Sequence, residues 1–191
     1  MVGCGPVGLC AVVAALEYGP ARLFAIDSVP SRLELARSLG AEPLNFVDDM
    51  AGLKERLLAA TDGRGADVVM EVVGLPPALR LAYDIVRPFG TISSVGVHNA
   101  EVPPPFCSSL GNLTKTQIPI SGAEAYAKNI KLQFGRCPVR SVFPDALEVL
   151  KQQGHRFGFM ADNILPLSDA VEGYDLFDRM MVQKVIFRAQ A

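Results

Sequence analysis

Apolar residues recur along this chain in two alternating rhythms: short continuous runs of strand length, and longer stretches where they return every three to four positions. The first stretch, GCGPVGLCAVVAALEYG, sets Gly3, Gly5 and Gly8 in the pattern G-x-G-x-x-G. An apolar, alanine-rich run follows to Leu16 until Gly19 ends it, which reads as a turn opening a helix. Residues 21–27 form a short apolar segment ending on Asp27, a strand. Residues 30–39 place Leu33, Leu35, Ala36 and Leu39 among Arg32, Glu34 and Arg37 at helical spacing, with Pro30 at the start and Gly40 past the end. The alternation predicts strand over 43–47, helix over 53–60, strand over 66–73, helix over 76–86 and strand over 90–97. Periodicity fails from His98 to about Ile120, where Pro103, Pro104 and Pro105 interrupt a serine-containing stretch, so an irregular excursion is expected there. Beyond it the pattern predicts strand over 130–134, helix over 146–152, an extended piece over 164–167, helix over 169–181 capped by Ser168, and strand over 182–187.

Parallel neighbours in a sheet need a crossover, and the natural crossover is a helix, so this repeated strand-helix order predicts an α/β fold with a parallel sheet covered on both faces. Its connectivity is that of a Rossmann-like doubly wound sheet. The glycine fingerprint should follow a full strand, yet only Met1 and Val2 precede Gly3, so the first strand is expected to be nearly absent. Residues 1–153 are expected to form a dinucleotide-binding domain and residues 154–191 a C-terminal segment.

Composition narrows the function classes. Half of the 191 residues are apolar, a fifth are charged, and the formal net charge is -2. That balance offers no basic face for nucleic acid or an anionic membrane, and no apolar run reaches the length of a span, so a cytoplasmic protein with neither partner is expected. Cys4, Cys10, Cys107 and Cys137 have no paired spacing and read as reduced thiols.

In a dinucleotide site the three glycines have separate tasks: Gly3 makes the tight turn, Gly5 admits the pyrophosphate close to the backbone, and Gly8 lets the helix approach its strand. The helix N-terminus then presents amide N–H groups and a positive dipole end to the phosphates. Asp27 lies 19 residues beyond Gly8, where a carboxylate accepts hydrogen bonds from ribose hydroxyls and repels a 2'-phosphate, which favours NAD over NADP. The alternative is that the glycines only pack and Asp27 only ends a strand. His98 and His155, the two histidines, have no cysteine or carboxylate at ligand spacing, so no metal site is expected from them. Tyr126 and Lys128, one residue apart, do not match the helical-turn spacing of an acid-base pair.

GCGPVGLCAVVAALEYG, AIDSVPSRLELARSLGA, GRGADVVMEVVG and VRPFGTISSVGV together resemble the zinc-type alcohol dehydrogenase family of medium-chain dehydrogenases, and ILPLSDAVEGYDLFDRMMVQKVIF resembles the family's return toward its catalytic domain. The resemblance implies cofactor-binding roles for Gly3, Gly5, Pro6, Val7 and Gly8, with Asp27 on the ribose and Arg32 beside the adenosine. It implies that Gly74 and Val97 lie against the nicotinamide half and that Lys184 approaches the pyrophosphate. It also implies a homodimer paired through the strand over 130–134. The family's N-terminal domain, which carries the catalytic zinc ligands, has no counterpart in these residues, so a truncated form with an incomplete zinc site is expected. The implied activity is oxidation or reduction of a small alcohol or carbonyl compound with NAD(H). Two alternatives stand beside it: a redox-silent isomerase, lyase or cyclase drawing on Glu71, Asp27 and His98, and a non-catalytic nucleotide-binding module.

Overall fold

A computed structural model describes residues 1–98 and 118–189. Its elements follow in the order α1 (Pro6–Leu16), β1 (Phe24–Asp27), α2 (Pro30–Ser38), β2 (Glu42–Asn45), α3 (Met50–Ala59), β3 (Ala66–Glu71), α4 (Pro76–Ile85) and β4 (Val86–Ser94). Then come α5 (Gly122–Lys128), β5 (Lys131–Phe134), α6 (Val139–Gln153), a 3-10 segment (Gly154–Met160), β6 (Ile164–Pro166), α7 (Ala170–Asp178) and β7 (Ile186–Arg188). The expected alternation is present, and every pairing with a recorded register is parallel. Contacts divide the chain into two units. Met1–Gly3 and Leu44–Cys137 form the first, and Cys4–Pro43 with Pro138–Ala191 the second.

In the first unit β3, β4 and β5 form a sheet in that order, with Val69 opposite Ile92 and Ile92 opposite Leu132. Helix α4 packs on β3 and β4 and buries Leu79, Leu81, Ala82 and Ile85, the stripe its amphipathic spacing predicts. The expected near-absence of a first strand appears as one residue: Val2 bridges Glu71 in parallel, its N–H donating to the Met70 carbonyl at 2.8 Å and its carbonyl accepting from Val72 N–H at 3.1 Å. Those two bonds satisfy the Val2 backbone that would otherwise be orphaned against β3.

In the second unit α1 carries no polar side chain and buries Gly8, Leu9, Val12 and Val13, as a helix apolar on all sides must. All four residues of β1 are buried, and α2 packs over that strand through Leu33 and Ala36. Strands β6 and β7 pair separately, Leu165 opposite Phe187.

Several boundaries differ from the sequence reading. Strand β4 begins at Val86, because Val86 pairs with Ala66 before an irregularity in the register. Helix α6 begins at Val139 and carries Pro144 inside it, past the first turn, where the ring removes the N–H that would bond to the Arg140 carbonyl four residues earlier. Helix α5 was not expected; a capping box, with the Ser121 hydroxyl accepting from Glu124 N–H and the Glu124 carboxylate accepting from Ser121 N–H, starts it within a stretch too short to show a period. Ser168 does not cap α7: its hydroxyl donates to Asp169 Oδ1, and Asp169 occupies the cap position. Residues 103–105 and Cys107, within the expected irregular excursion, lie outside the described residues.

Candidate functional site

Two groups of residues have the makings of a site, one in each unit. In the second unit the glycine turn leads into α1 with Pro6 at its first position and Gly5 as N-cap, which offers no side chain to the first-turn amides. A Cβ built on Gly5 meets nothing within 4 Å, so the backbone there faces open space. Val7 is 63% exposed, whereas Gly8 is buried. A helix N-terminus with no side-chain cap and room in front of it suits an anion.

Asp27, at the end of β1, is 7% exposed. Its Oδ1 accepts from Ser28 N–H at 2.8 Å and Val29 N–H at 2.9 Å, and its Oδ2 accepts from Cys4 N–H at 2.7 Å. Of roughly four acceptor positions on a carboxylate, these donors take three. The bond to Cys4 also fastens the glycine turn to the end of β1. Burial, with the Asp27 charge beside it, pushes the Cys4 thiol up to about 12, so this cysteine is a packing group and not a nucleophile. The charge of Arg32 acts on the same thiol in the opposite sense, and Arg32 Nε is buried without a hydrogen-bond partner among the described residues. A buried guanidinium donor left unpaired is costly unless a ligand supplies the acceptor. Lys184 is half-buried in the segment leading to β7, beside Gln183, whose Oε1 is also buried without a partner among the described residues. No recorded hydrogen bond joins Lys184 to Asp27 or to the glycine turn.

In the first unit Gly3 adopts φ +96°, and an added Cβ would stand 2.6 Å from Val73 Cγ2. Gly74, at φ +84°, lies so close to Val97 that its Cβ would fall 2.6 Å from Val97 N. Only glycine fits either position. Val97 is 67% exposed. The carboxylate of Glu71, fully buried at the end of β3, accepts on Oε1 from Val73 N–H at 2.8 Å and Gly74 N–H at 2.7 Å. Its Oε2 accepts from the Ser94 hydroxyl at 2.5 Å and lies 3.2 Å from His98 Nε2. Ser94 Oγ is also 2.7 Å from His98 Nε2, and the His98 ring meets Phe134 edge to face at 5.6 Å. Ser94, 1% exposed with its proton held by Glu71, is not placed as a nucleophile.

The structure thus keeps Gly5, Pro6, Val7, Gly8, Asp27 and Arg32 in one unit and Gly3, Gly74 and Val97 in the other. Glu71 and His98 had been singled out by type alone; the network that joins them through Ser94 was missed, since its members are 23 and 4 residues apart and share no motif. Tyr126 and Lys128 do not form a pair: Tyr126 is 88% exposed, while Lys128 Nζ donates to the carbonyls of Tyr83, Asp84 and Val86 and so closes the C-terminal end of α4. Among the described residues no group of three or more His, Cys, Asp or Glu is arranged to hold a metal ion, so these residues do not fit a zinc. No described helix is long and apolar enough to cross a membrane.

Against known proteins, the profile of the zinc-binding dehydrogenases matches residues 6–152. Zinc-type alcohol dehydrogenase B of Aspergillus flavus is 60% identical over 99% of this chain, and a probable zinc-binding alcohol dehydrogenase of Mycobacterium tuberculosis is 34% identical over 91%. The chain spans 40% of the length of each of these relatives. Among solved structures, an alcohol dehydrogenase from Thermus sp. ATN1 superposes with a TM-score of 0.76 at 34% identity, over 97% of this chain and 51% of that one.

Proposed function

This chain belongs to the zinc-binding dehydrogenase family, and from that premise we propose that its residues bind NAD(H) for the interconversion of a small alcohol and its carbonyl compound. The observation that carries the reading is the glycine turn: an open approach at Gly5, an uncapped helix N-terminus, and a carboxylate at Asp27 with one acceptor position lacking a recorded donor among the described residues. The unpaired Nε of Arg32 fits the same ligand, because a dinucleotide brings the acceptors that a buried guanidinium lacks.

In this reading the amides of α1 hold the diphosphate, Asp27 accepts from a ribose hydroxyl, and the Asp27 charge disfavours a 2'-phosphate. Arg32 borders the adenosine, Lys184 neutralises a phosphate charge, and the backbone at Gly74 and Val97 forms the surface for the nicotinamide half. When bound, NAD would supply the hydride acceptor for the alcohol. Relatives named as alcohol dehydrogenases support this choice of substrate class. Zinc chemistry is not assigned to these residues. We further propose a homodimer through β5, which ends the β3-β4-β5 sheet with an outer edge free for strand pairing among the described residues.

Fluorescence titration with NADH and NADPH tests the reading. The expected result is saturable NADH binding, weaker NADPH binding, and a loss of about ten- to a hundredfold in NADH affinity for Asp27→Ala, the range for removing a charge-assisted hydrogen bond. Equal affinity for the two nucleotides, or no binding of either, contradicts it.

A further inference from the structure

Helix α4 ends without a cap of its own. Its last turn passes straight into β4 at Val86, whose backbone is extended at φ -70° and ψ 141°, so no left-handed residue turns an amide back onto the final carbonyls. The carbonyls of Tyr83 and Asp84 are thus left over, as the last carbonyls of a helix are. Both accept from Lys128 Nζ instead, at 2.6 and 3.3 Å, and the Val86 carbonyl accepts from the same nitrogen at 2.9 Å.

Three carbonyl oxygens around one nitrogen fix its protonation. A carbonyl has no proton to give, so each contact uses a proton of the nitrogen, and only the ammonium form has three. The Tyr83 ring adds its face at 4.5 Å. The carboxylates nearby are committed elsewhere: Asp84 to Lys54 and Arg80, each at 3.0 Å, and Glu124 to Arg80 at 2.5 Å. Burial pushes the Lys128 pKa down; Asp84 opposes that, while Arg80 and Lys54 add to it. Oxygen dipoles and a ring face, with no recorded ion pair among the described residues, therefore hold this charge.

Backbone carbonyls at the negative end of a helix dipole are the groups that replace the hydration shell of a monovalent cation. Here they are gathered within one unit, from α4, β4 and α5. We propose that the corner where α4 enters β4 is a binding site for a weakly hydrated monovalent cation, of the ammonium or potassium class, and that Lys128 fills it as a tethered ion. Its occupancy holds α5 on α4 and steadies the approach to β5, since Lys128 is the last residue of α5 and β5 begins at Lys131.

The test uses the full chain and Lys128→Ala, which removes the tethered charge and leaves a half-buried space where the stem lay. Amide hydrogen exchange in α5 should speed up by about ten- to a hundredfold, the range for losing charge-assisted hydrogen bonds. Titrating potassium chloride or methylammonium chloride into the variant should restore most of that protection along a saturable curve. Tetramethylammonium chloride at the same ionic strength, too large to reach the carbonyls, should restore none. Lys128→Met, whose side chain refills the space, should lose protection that no salt returns. Equal recovery in all three salts is charge screening and overturns the site. Protection that no salt restores in Lys128→Ala, or that this variant never loses, overturns it too. Wild type decides the matter when the variant does not fold: nitrogen NMR should find the Lys128 ammonium protons exchanging with water at least about tenfold more slowly than those of exposed Lys131, and equal rates contradict the assignment.

Discussion

Two buried carboxylates stand at the ends of two strands, Asp27 after β1 and Glu71 after β3, and each accepts backbone N–H groups from the turn that follows. They differ in what is left over. Asp27 has three donors and one acceptor position without a recorded donor among the described residues; Glu71 has four partners and none open. Beside Glu71, His98 Nδ1 is buried without a hydrogen-bond partner among the described residues. A carboxylate with room to spare can meet a ligand itself, whereas a saturated one acts through the groups it orients.

The comparison breaks most visibly on removal of each acid. Glu71→Ala leaves two amides, a hydroxyl and an imidazole without their acceptor in a fully buried place, and should cost about 3–5 kcal/mol of stability in chemical denaturation. Asp27→Ala should cost less, about 1–3 kcal/mol, because water reaches a partly open turn. Equal losses would erase the distinction.

The two glycines of the fingerprint sharpen it next. Gly3→Ala forces a Cβ against Val73 at a positive φ and should destabilise by about 2 kcal/mol, read from the unfolding midpoint. Gly5→Ala, with an ordinary extended backbone and nothing within 4 Å, should stay within about 0.5 kcal/mol of wild type. Away from both acids, Phe89 sits at φ +58° and is 68% exposed, a bulky residue where the backbone suits glycine. Phe89→Gly should therefore raise stability by about 1 kcal/mol in the same measurement.

A third carboxylate supplies the exposed contrast. Glu124 is drawn down to about 2, first by the Ser121 N–H it accepts and then by Arg80. A lowered carboxyl value stabilises the fold above the unfolded value near 4.5, and that contribution disappears as pH falls through about 2. Carboxyl NMR should find Glu124 titrating near 2, with the α5 amides shifting in step; a midpoint near 4.5 would remove the capping argument.

How much of this was legible in the sequence follows the same division. Asp27 was readable because its partner turn lies in a motif at a fixed distance, and the alternation of elements was readable because apolar periodicity reports burial directly. The role of Glu71 was not, since its partners Ser94 and His98 come from β4 and the loop after it, and only the parallel register of β3 with β4 brings them level: Glu71 pairs with Ser94. Helix α5 escaped because seven residues are too few to establish a period, though Ser121 and Glu124 had the spacing of a capping box. Lys128 shows the opposite error avoided: its type suggested chemistry, and its three carbonyl partners show a helix end being closed.

The central claim is that the turn before α1 exists to admit a diphosphate. Its most direct test is calorimetric titration of NADH into Gly5→Val, a substitution into open space. The account predicts an unchanged melting temperature and a loss of binding of at least about tenfold, as a bulky side chain fills the approach. A stable Gly5→Val protein that binds NADH as tightly as wild type would contradict it.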